Sequence, residues 1–361
     1  MDFALNVPIN DVSFGQVSVA LLREMHKRGL EPCIFPISKV SINPQAELGD
    51  DFKSWLDSCI KKSRHSHSRS NPVFKLWHFQ GSLESYSEKQ VLLTFYELDQ
   101  PTKIEKNIAQ NNSTCFTSQY SCDIFSDVGV ETSYIPLGFD SHNFKQVDRK
   151  YYDDDRIVFN LVGKFEKRKN HQKVIESWVK KYGNNPKYFL NCALYNPFFT
   201  EDQNKAIWNA VLQGQDYFNV QFFKYFESNH QYNDFLNSGH IIISMSGGEG
   251  WGLPEFQSVA MGKHAVTLNA TGYKGWANQD NSCLVYPSSK EEAYDNKFFI
   301  KGAEYNQGHV FWFDEEDFIE GCEEALQRHE SNPLNEAGLK LQDEFTYAKT
   351  LDKILEQLQK V

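Results

Sequence analysis

Ser246-Gly247-Gly248-Glu249-Gly250-Trp251-Gly252-Leu253-Pro254-Glu255-Phe256-Gln257 decides how the rest of this 361-residue chain is read. An apolar run over 241–245, short enough for a buried strand, precedes it, and helical patterning follows to about residue 262. Pro254 suits the first helical position, where a missing N–H costs nothing, and Gly262 suits the stop. The glycines between strand and helix let the backbone reach positive φ and approach a ligand closely. Free amides and the positive end of the helix dipole then face an anion at the carboxyl end of the strand. Glu249 does not suit a phosphate. It suits hydroxyl groups, as on a sugar, or else is a solvated turn residue.

The same junction recurs upstream. A strand over 157–162 leads through Gly163-Lys164-Phe165-Glu166-Lys167-Arg168-Lys169-Asn170 into a helix over about 170–182. Four cations in six residues, placed where open α/β sheets bind ligands, fit a diphosphate without a metal; a solvated basic turn is the alternative. Strands at 188–194, 220–223, 265–268 and 283–286, with a helix at about 201–213, continue the alternation. The first part of the chain reads the same way. A strand at 3–9, the loop Asn10 to Gln16, a helix with Val17, Leu21, Leu22 and Met25 on one stripe, and a strand at 32–37 make a strand-helix-strand unit. Strands at 91–97, 114–117 and 131–135 follow, the last two separated by a helix capped by Ser118. The opening loop holds one glycine, Gly15, so as a dinucleotide fingerprint it is weak. The expected fold class is α/β: two tandem doubly wound domains at 1–145 and 156–340, with a C-terminal helix at about 345–361 packing back on the first.

A net charge of −11 provides no global basic field for nucleic acid or acidic membranes, so an anionic partner must be held locally. The seven cysteines are odd in number and never form a CxxC pair, which points to reduced core thiols and not to zinc. No apolar stretch approaches a membrane span and the opening residues lack a signal pattern, so the expectation is a soluble, cytoplasmic protein. Asp153-Asp154-Asp155 imitates a metal-binding DxD motif but lies in the expected linker, before a strand instead of after one. Residues 61–80 carry Lys61, Lys62, Arg64, Arg69 and Lys75 without an acid, beside Phe74, Trp77 and Phe79. This is either a solvated helix end with its loop or a contact for a polyanionic acceptor such as DNA.

Gly248-Glu249-Gly250-Trp251-Gly252-Leu253-Pro254, followed by Gly262, closely resembles the donor-site motif EGFGLPxxEAMAxG of the retaining GT-B glycosyltransferases of glycosyltransferase family 4. The segment from Gly163-Lys164 to Arg168-Lys169 resembles that family's GR…RKG motif, with Lys164 where arginine is usual. Ser118-Gln119-Tyr120-Ser121, Gly129-Val130 and Ile135-Pro136-Leu137-Gly138-Phe139-Asp140 resemble its interdomain run. The resemblance implies the GT-B fold, two Rossmann-like domains facing a cleft. It also implies transfer of a sugar, with retained configuration and without a metal or other cofactor, from a UDP- or GDP-sugar to a glycan, protein or lipid-linked hydroxyl. On this reading Lys164, Lys169 and Glu249 are catalytic, and Gly15, Gly163, Arg168, Gly250, Trp251, Gly252, Leu253 and Gln257 bind the donor. Ser13, Glu97 and Asp99 stand on the acceptor side. The chain departs from the family where Gln257 replaces the second motif glutamate. It departs again at the end of the 91–97 strand, where Glu97 and Asp99 stand and the family's histidine is absent. Two other readings accompany this one: a glycosyltransferase acting on a hydroxymethylpyrimidine base of DNA, and a GT-B-like protein that binds nucleotide or glycan without turnover.

Overall fold

Parallel strands buried on both faces read as continuous apolar runs, and the chain holds two sets of them. In the computed structural model, which describes residues 2–45, 47–147 and 155–361, the two sets form two six-stranded parallel sheets, one in each of two compact units. Of the run Asp153-Asp154-Asp155, only Asp155 lies within the described residues.

The first unit takes the chain up to Asn143, together with Lys301–Gly308 and Gln342–Val361. It begins with β1 (Ala4–Pro8), α1 (Ser13–Lys27), β2 (Cys33–Ile37), α2 (Asp50–Lys62), β3 (Val73–Leu76) and β4 (Gln90–Thr94). Then come α3 (Lys103–Gln110), β5 (Ser113–Phe116), α4 (Gln119–Ser126) and β6 (Ser133–Tyr134). Sheet order is β2-β1-β3-β4-β5-β6, so after β2 the chain crosses β1 and changes direction of winding between β1 and β3. Ser118 caps α4 by accepting from the Ser121 amide, as its position before a helix requires.

The second unit runs from Phe144 to Ile300 and from His309 to Leu341. Its elements are β7 (Ile157–Val162), α5 (His171–Tyr182), β8 (Tyr188–Ala193), α6 (Glu201–Val211), β9 (Val220–Phe222), α7 (Asn229–Ser238) and β10 (Ile241–Ser244). They continue with α8 (Leu253–Ala260), β11 (His264–Leu268), β12 (Cys283–Val285), the antiparallel pair β13 (Ser289–Glu292) and β14 (His309–Trp312), and α9 (Glu315–Ser331). Sheet order is β12-β11-β10-β7-β8-β9, which puts the reversal of winding between β7 and β10. Val174, Ile175, Trp178 and Tyr182 of α5 share the helical stripe that meets Phe159 and Leu161 of β7 in the core. The β13–β14 hairpin has no counterpart in the sequence reading.

Two short helices, α10 (Glu336–Leu339) and α11 (Leu341–Glu344), lead to α12 (Tyr347–Lys360). Leu351, Ile354 and Leu358 of α12 are buried, each worth roughly 1.5–3 kcal/mol, and the helix packs on α1. Gly138 makes this seat possible, because a Cβ there would lie 2.2 Å from the Tyr347 amide nitrogen. The Phe139 amide donates to Phe345 O (2.8 Å) and Thr350 Oγ1 to Pro136 O (2.8 Å), so the interdomain-like run anchors the end of the chain to the first unit. Lys301–Gly308 is held to the same unit by Glu105, whose buried carboxylate accepts from the Asn306 amide and from the Thr102 amide, both at 2.8 Å. All seven cysteines are buried free thiols. Among the described residues no helix is long and apolar enough to cross a membrane.

Candidate functional site

Ligands of open α/β sheets bind at the carboxyl ends of the strands, where the winding reverses. In the second unit those strands are β7 and β10, and the loops that follow them are 163–170 and 245–252. The two loops are in direct contact. The Gly247 amide donates to Arg168 O (2.8 Å), Arg168 Nη1 donates to Gly248 O (2.5 Å), and Ser246 Oγ lies 3.4 Å from Arg168 O.

Backbone geometry explains the glycines. Gly163 has φ +113°, which L side chains rarely adopt, and lies within contact distance of the Lys169 side chain. Gly252, the N-cap of α8, has φ +81° and would place a Cβ 2.2 Å from the Tyr273 ring. Pro254 follows Leu253 in the first turn, and Gly262 just beyond the helix has φ +84°. The amino end of α8 therefore lies at the carboxyl edge of the sheet, where the helix dipole favours an anion.

The charged side chains form an alternating chain. Lys164 Nζ is 2.9 Å from Glu166, Glu166 is 3.0 Å from Arg168 Nε, and Arg168 Nη1 is 3.1 Å from Glu249 Oε1. Lys169 Nζ closes the chain on the same Oε1, which also accepts from Ser246 Oγ at 2.7 Å. Arg168, Lys169, Glu166 and Glu249 are all buried. Burial by itself would raise the Glu249 carboxyl, but Lys169 and then Arg168 hold it down at about 2. Glu166 is likewise lowered, burial being outweighed by Arg168 and Lys164. The Lys169 ammonium is held above its ordinary value by Glu249 against the desolvation that would lower it. His171 is driven down to about 3 by burial and by Lys169, so it is neutral and donates through Nε2 to Val162 O (3.1 Å). Glu255, fully buried in the first turn of α8, is raised above the ordinary carboxylate value by desolvation, against the pull of Lys169.

The structure thus brings Arg168, Lys169 and Glu249 together, and gives Lys164 to Glu166, two steps along the chain from Glu249. Lys167 turns to the Glu292 carbonyl (2.6 Å). Trp251 is buried in the core against Phe256, with its carbonyl accepting from Trp276 Nε1 (2.8 Å); its ring packs under the loop. Gln257 is buried on α8. Ser13, Gly15, Glu97 and Asp99 belong to the first unit. Gly15 has a steric reason to be glycine, since a Cβ would meet Asn10 Oδ1 at 2.1 Å. Asp99 lies against the Lys301–Gly308 segment, where a Cβ at Gly308 would be 2.3 Å from its Oδ1.

Two residues beside these loops carry no role in the sequence reading. Thr271 accepts the Glu249 amide on Oγ1 (3.0 Å) from a backbone at φ +47°, a strained setting for a β-branched residue. Asn170 holds the left-handed φ of +55° between the basic turn and α5. In the first unit, His78 is exposed just past the carboxyl end of β3, 4.5 Å, centroid to centroid, from the Phe14 ring. It stands at the β1/β3 edge where the winding of the first unit reverses, one strand before the 91–97 strand. The basic stretch 61–80 is divided by β3. Lys61, Lys62, Arg64 and Arg69 lie before it, at the amino edge of the sheet, while Trp77 and Phe79 lie at the carboxyl edge. Lys75 is buried within β3 and donates to Gly81 O (2.9 Å) and Glu84 O (2.6 Å).

Comparison with solved structures decides the architecture. The chain matches sucrose-phosphate synthase from Thermosynechococcus elongatus with a TM-score of 0.71, at 13% identity, over 100% of this chain and 98% of that one. It matches Anabaena HepE, solved in complex with UDP-glucose, with a TM-score of 0.66 at 12% identity and 100% of both chains. Trehalose 6-phosphate synthase from Burkholderia multivorans gives 0.67 at 10% identity, over 100% and 99%. The fold is that of the GT-B glycosyltransferases. No protein-family profile matches the chain, and no curated protein matches it by sequence. At these identities the likeness carries the GT-B fold alone, so the activity rests on the site.

Proposed function

We propose that the protein is a retaining, metal-independent glycosyltransferase that moves a sugar from a nucleoside-diphosphate sugar, a UDP- or GDP-sugar, to a hydroxyl of a glycan or other acceptor. One observation carries this reading: the cation-rich turn and the glycine-glutamate loop follow the two strands, β7 and β10, between which the sheet reverses, and are hydrogen-bonded to each other. Breaking the bond from sugar C1 to the diphosphate leaves the electron pair on the phosphate oxygen and builds positive character on the sugar ring. Lys164, Lys169 and the α8 amides are fixed charges and dipoles for the departing diphosphate, worth most in a dry site and requiring no metal. Glu249 accepts from the sugar hydroxyls, and Gln257 from the ribose. The acceptor oxygen bonds C1, and its proton leaves with the diphosphate or to solvent.

Glu249 and Glu166 partner the cations of the turn. The donor diphosphate replaces the carboxylates as their partner, which confines a strong anion field to the moment of binding. The experiment is a screen of the purified protein against UDP-glucose, UDP-N-acetylglucosamine, GDP-mannose and ADP-glucose for slow donor hydrolysis, with and without EDTA. NMR of the transferred anomer then tests retention. A strict need for a divalent ion, or inversion, would count against the mechanism. Replacement of the second motif glutamate by Gln257 favours one rival, a protein that binds a nucleotide sugar without turning it over; binding to the panel with no hydrolysis or transfer would establish it.

A further inference from the structure

The geometry points to Asn170 as a positioning residue of the donor site, one that aligns the diphosphate cations with the sugar-gripping glutamate. The inference rests on the donor-site reading above and gives a role to Asn170, which stands where the RKG motif has glycine. Asn170 is buried, follows Lys169 directly, and donates through Nδ2 to Met245 O at 2.7 Å and to Phe311 O at 3.1 Å. Met245 ends the β10 run and leads into Ser246 and Glu249, so one amide ties the basic turn to the glutamate loop. Two carbonyl acceptors on one atom fix the orientation of that amide, because only the NH2 side can donate to both.

The second acceptor explains the β13–β14 hairpin. Phe311 N donates to Gly247 O (2.9 Å), and a Cβ at Gly247 would meet Phe311 O at 2.1 Å, so β14 is pressed on the glutamate loop along its backbone. Lys167 donates to the carbonyls of Glu292 (2.6 Å) and Tyr294 (3.3 Å) on the outgoing arm. The hairpin therefore touches both donor loops, and Asn170 is where the turn, the glutamate loop and the hairpin meet. The backbone supports the same choice. A left-handed φ is tolerated by asparagine and glycine better than by other residues, but glycine has no amide. Asn170 Oδ1 is buried without a hydrogen-bond partner, so the amide's ties to the loops run through Nδ2 alone.

The alignment role separates two ligands. Free UDP uses the cations and the α8 amides alone, whereas a UDP-sugar must be gripped at the diphosphate by Lys164 and Lys169 and at the sugar by Glu249 at once. Asn170→Gly keeps the φ and removes the amide; Asn170→Asp keeps the size and replaces the donor by an acceptor facing two carbonyls. For each variant the melting temperature, the Kd for UDP by calorimetry, and kcat and KM for hydrolysis of whichever panel sugar the wild type cleaves are measured. The expected result is a UDP Kd within about threefold of wild type and kcat/KM for the nucleotide sugar lower by about tenfold to a hundredfold. Hydrolysis within about threefold of wild type in Asn170→Gly, or equal losses of UDP binding and hydrolysis, would overturn the role. If Asn170→Asp fails to fold, Asn170→Gly still decides. A wild-type protein that binds neither UDP nor any sugar of the panel would instead refute the donor-site reading, which separates the two failures.

Discussion

Replacing Lys169 by methionine removes one of the two cations that hold the Glu249 carboxylate, and the structure sets the size of the effect. Lys169 and Glu249 are both buried, with side chains 7% exposed, so solvent does little to screen the loss. Leaving a buried carboxylate unpaired costs about 3–5 kcal/mol. Here Arg168 stays at 3.1 Å and Ser246 at 2.7 Å, so the low end, about 3 kcal/mol, is expected. For a unit of this size that is a fall of about 6–12 °C in melting temperature. Glu249→Gln strands the ammonium and is destabilising too, while the double variant removes both charges and recovers much of the loss. Turnover behaves differently. Each single variant loses a contact with developing charge and slows donor hydrolysis by about a hundredfold or more, and the double variant does not recover it. Thermal melts and hydrolysis of the best panel sugar, run on all four proteins, make a double-mutant cycle. Additive stability losses would show that the pair is not coupled; near-normal hydrolysis in Lys169→Met would remove that lysine from the mechanism.

Gly252→Ala should destabilise by more than about 3 kcal/mol, since the new methyl collides with the Tyr273 ring at 2.2 Å and the φ of +81° disfavours any Cβ; chemical denaturation checks this. At the amino ends of β10 and β11, His240, His264 and His329 lie ring to ring, 4.9 Å from His240 to His329 and 5.9 Å from His264 to His329. Burial lowers all three, His240 to about 4, and His240 Nδ1 must stay unprotonated to accept the Val158 amide at 2.9 Å. The unfolded chain therefore binds more protons than the folded one between about pH 6.5 and 4, and the stability present above pH 6.5 is lost as pH falls through that window. Melts across it should show this loss, and His240→Asn, which can still accept from Val158, should flatten it. Replacing Lys61, Lys62, Arg64 and Arg69 together by alanine should leave donor hydrolysis and acceptor KM unchanged, because these residues sit at the amino edge of the first sheet; a raised KM with a flattened salt dependence would revive a polyanionic acceptor.

What the sequence makes legible here are local constraints. Gly163 and Gly252 mark strand-to-helix junctions, and Gly262 the end of a helix, because their positive φ angles admit few alternatives, and the β7, β8, β10 and β11 runs are apolar because both faces are covered. β3 escapes because Lys75 stands in its middle. Its stem is buried and its ammonium satisfied by two carbonyls beyond the strand, an arrangement that a charge count reads as one more surface cation. That single lysine has a further consequence: it joins the amino-edge cations to Trp77 and Phe79 as if they were one patch.

The members of the site that leave no trace in the sequence are those whose partners are backbone atoms far along the chain. Asn170 reaches carbonyls 75 and 141 residues away, and Thr271 accepts an amide 22 residues back. Backbone carbonyls carry no residue identity, so no pairing pattern at the Met245 or Phe311 positions announces the contact. The charged residues can be read from the chain because their chemistry is written in their type, whereas the spacing between them is set by a hairpin and an amide whose types are unremarkable. A motif can therefore locate the two halves of the proposed donor site, but both halves are also tied to the β13–β14 pair, and variants there should alter turnover while every motif residue remains in place.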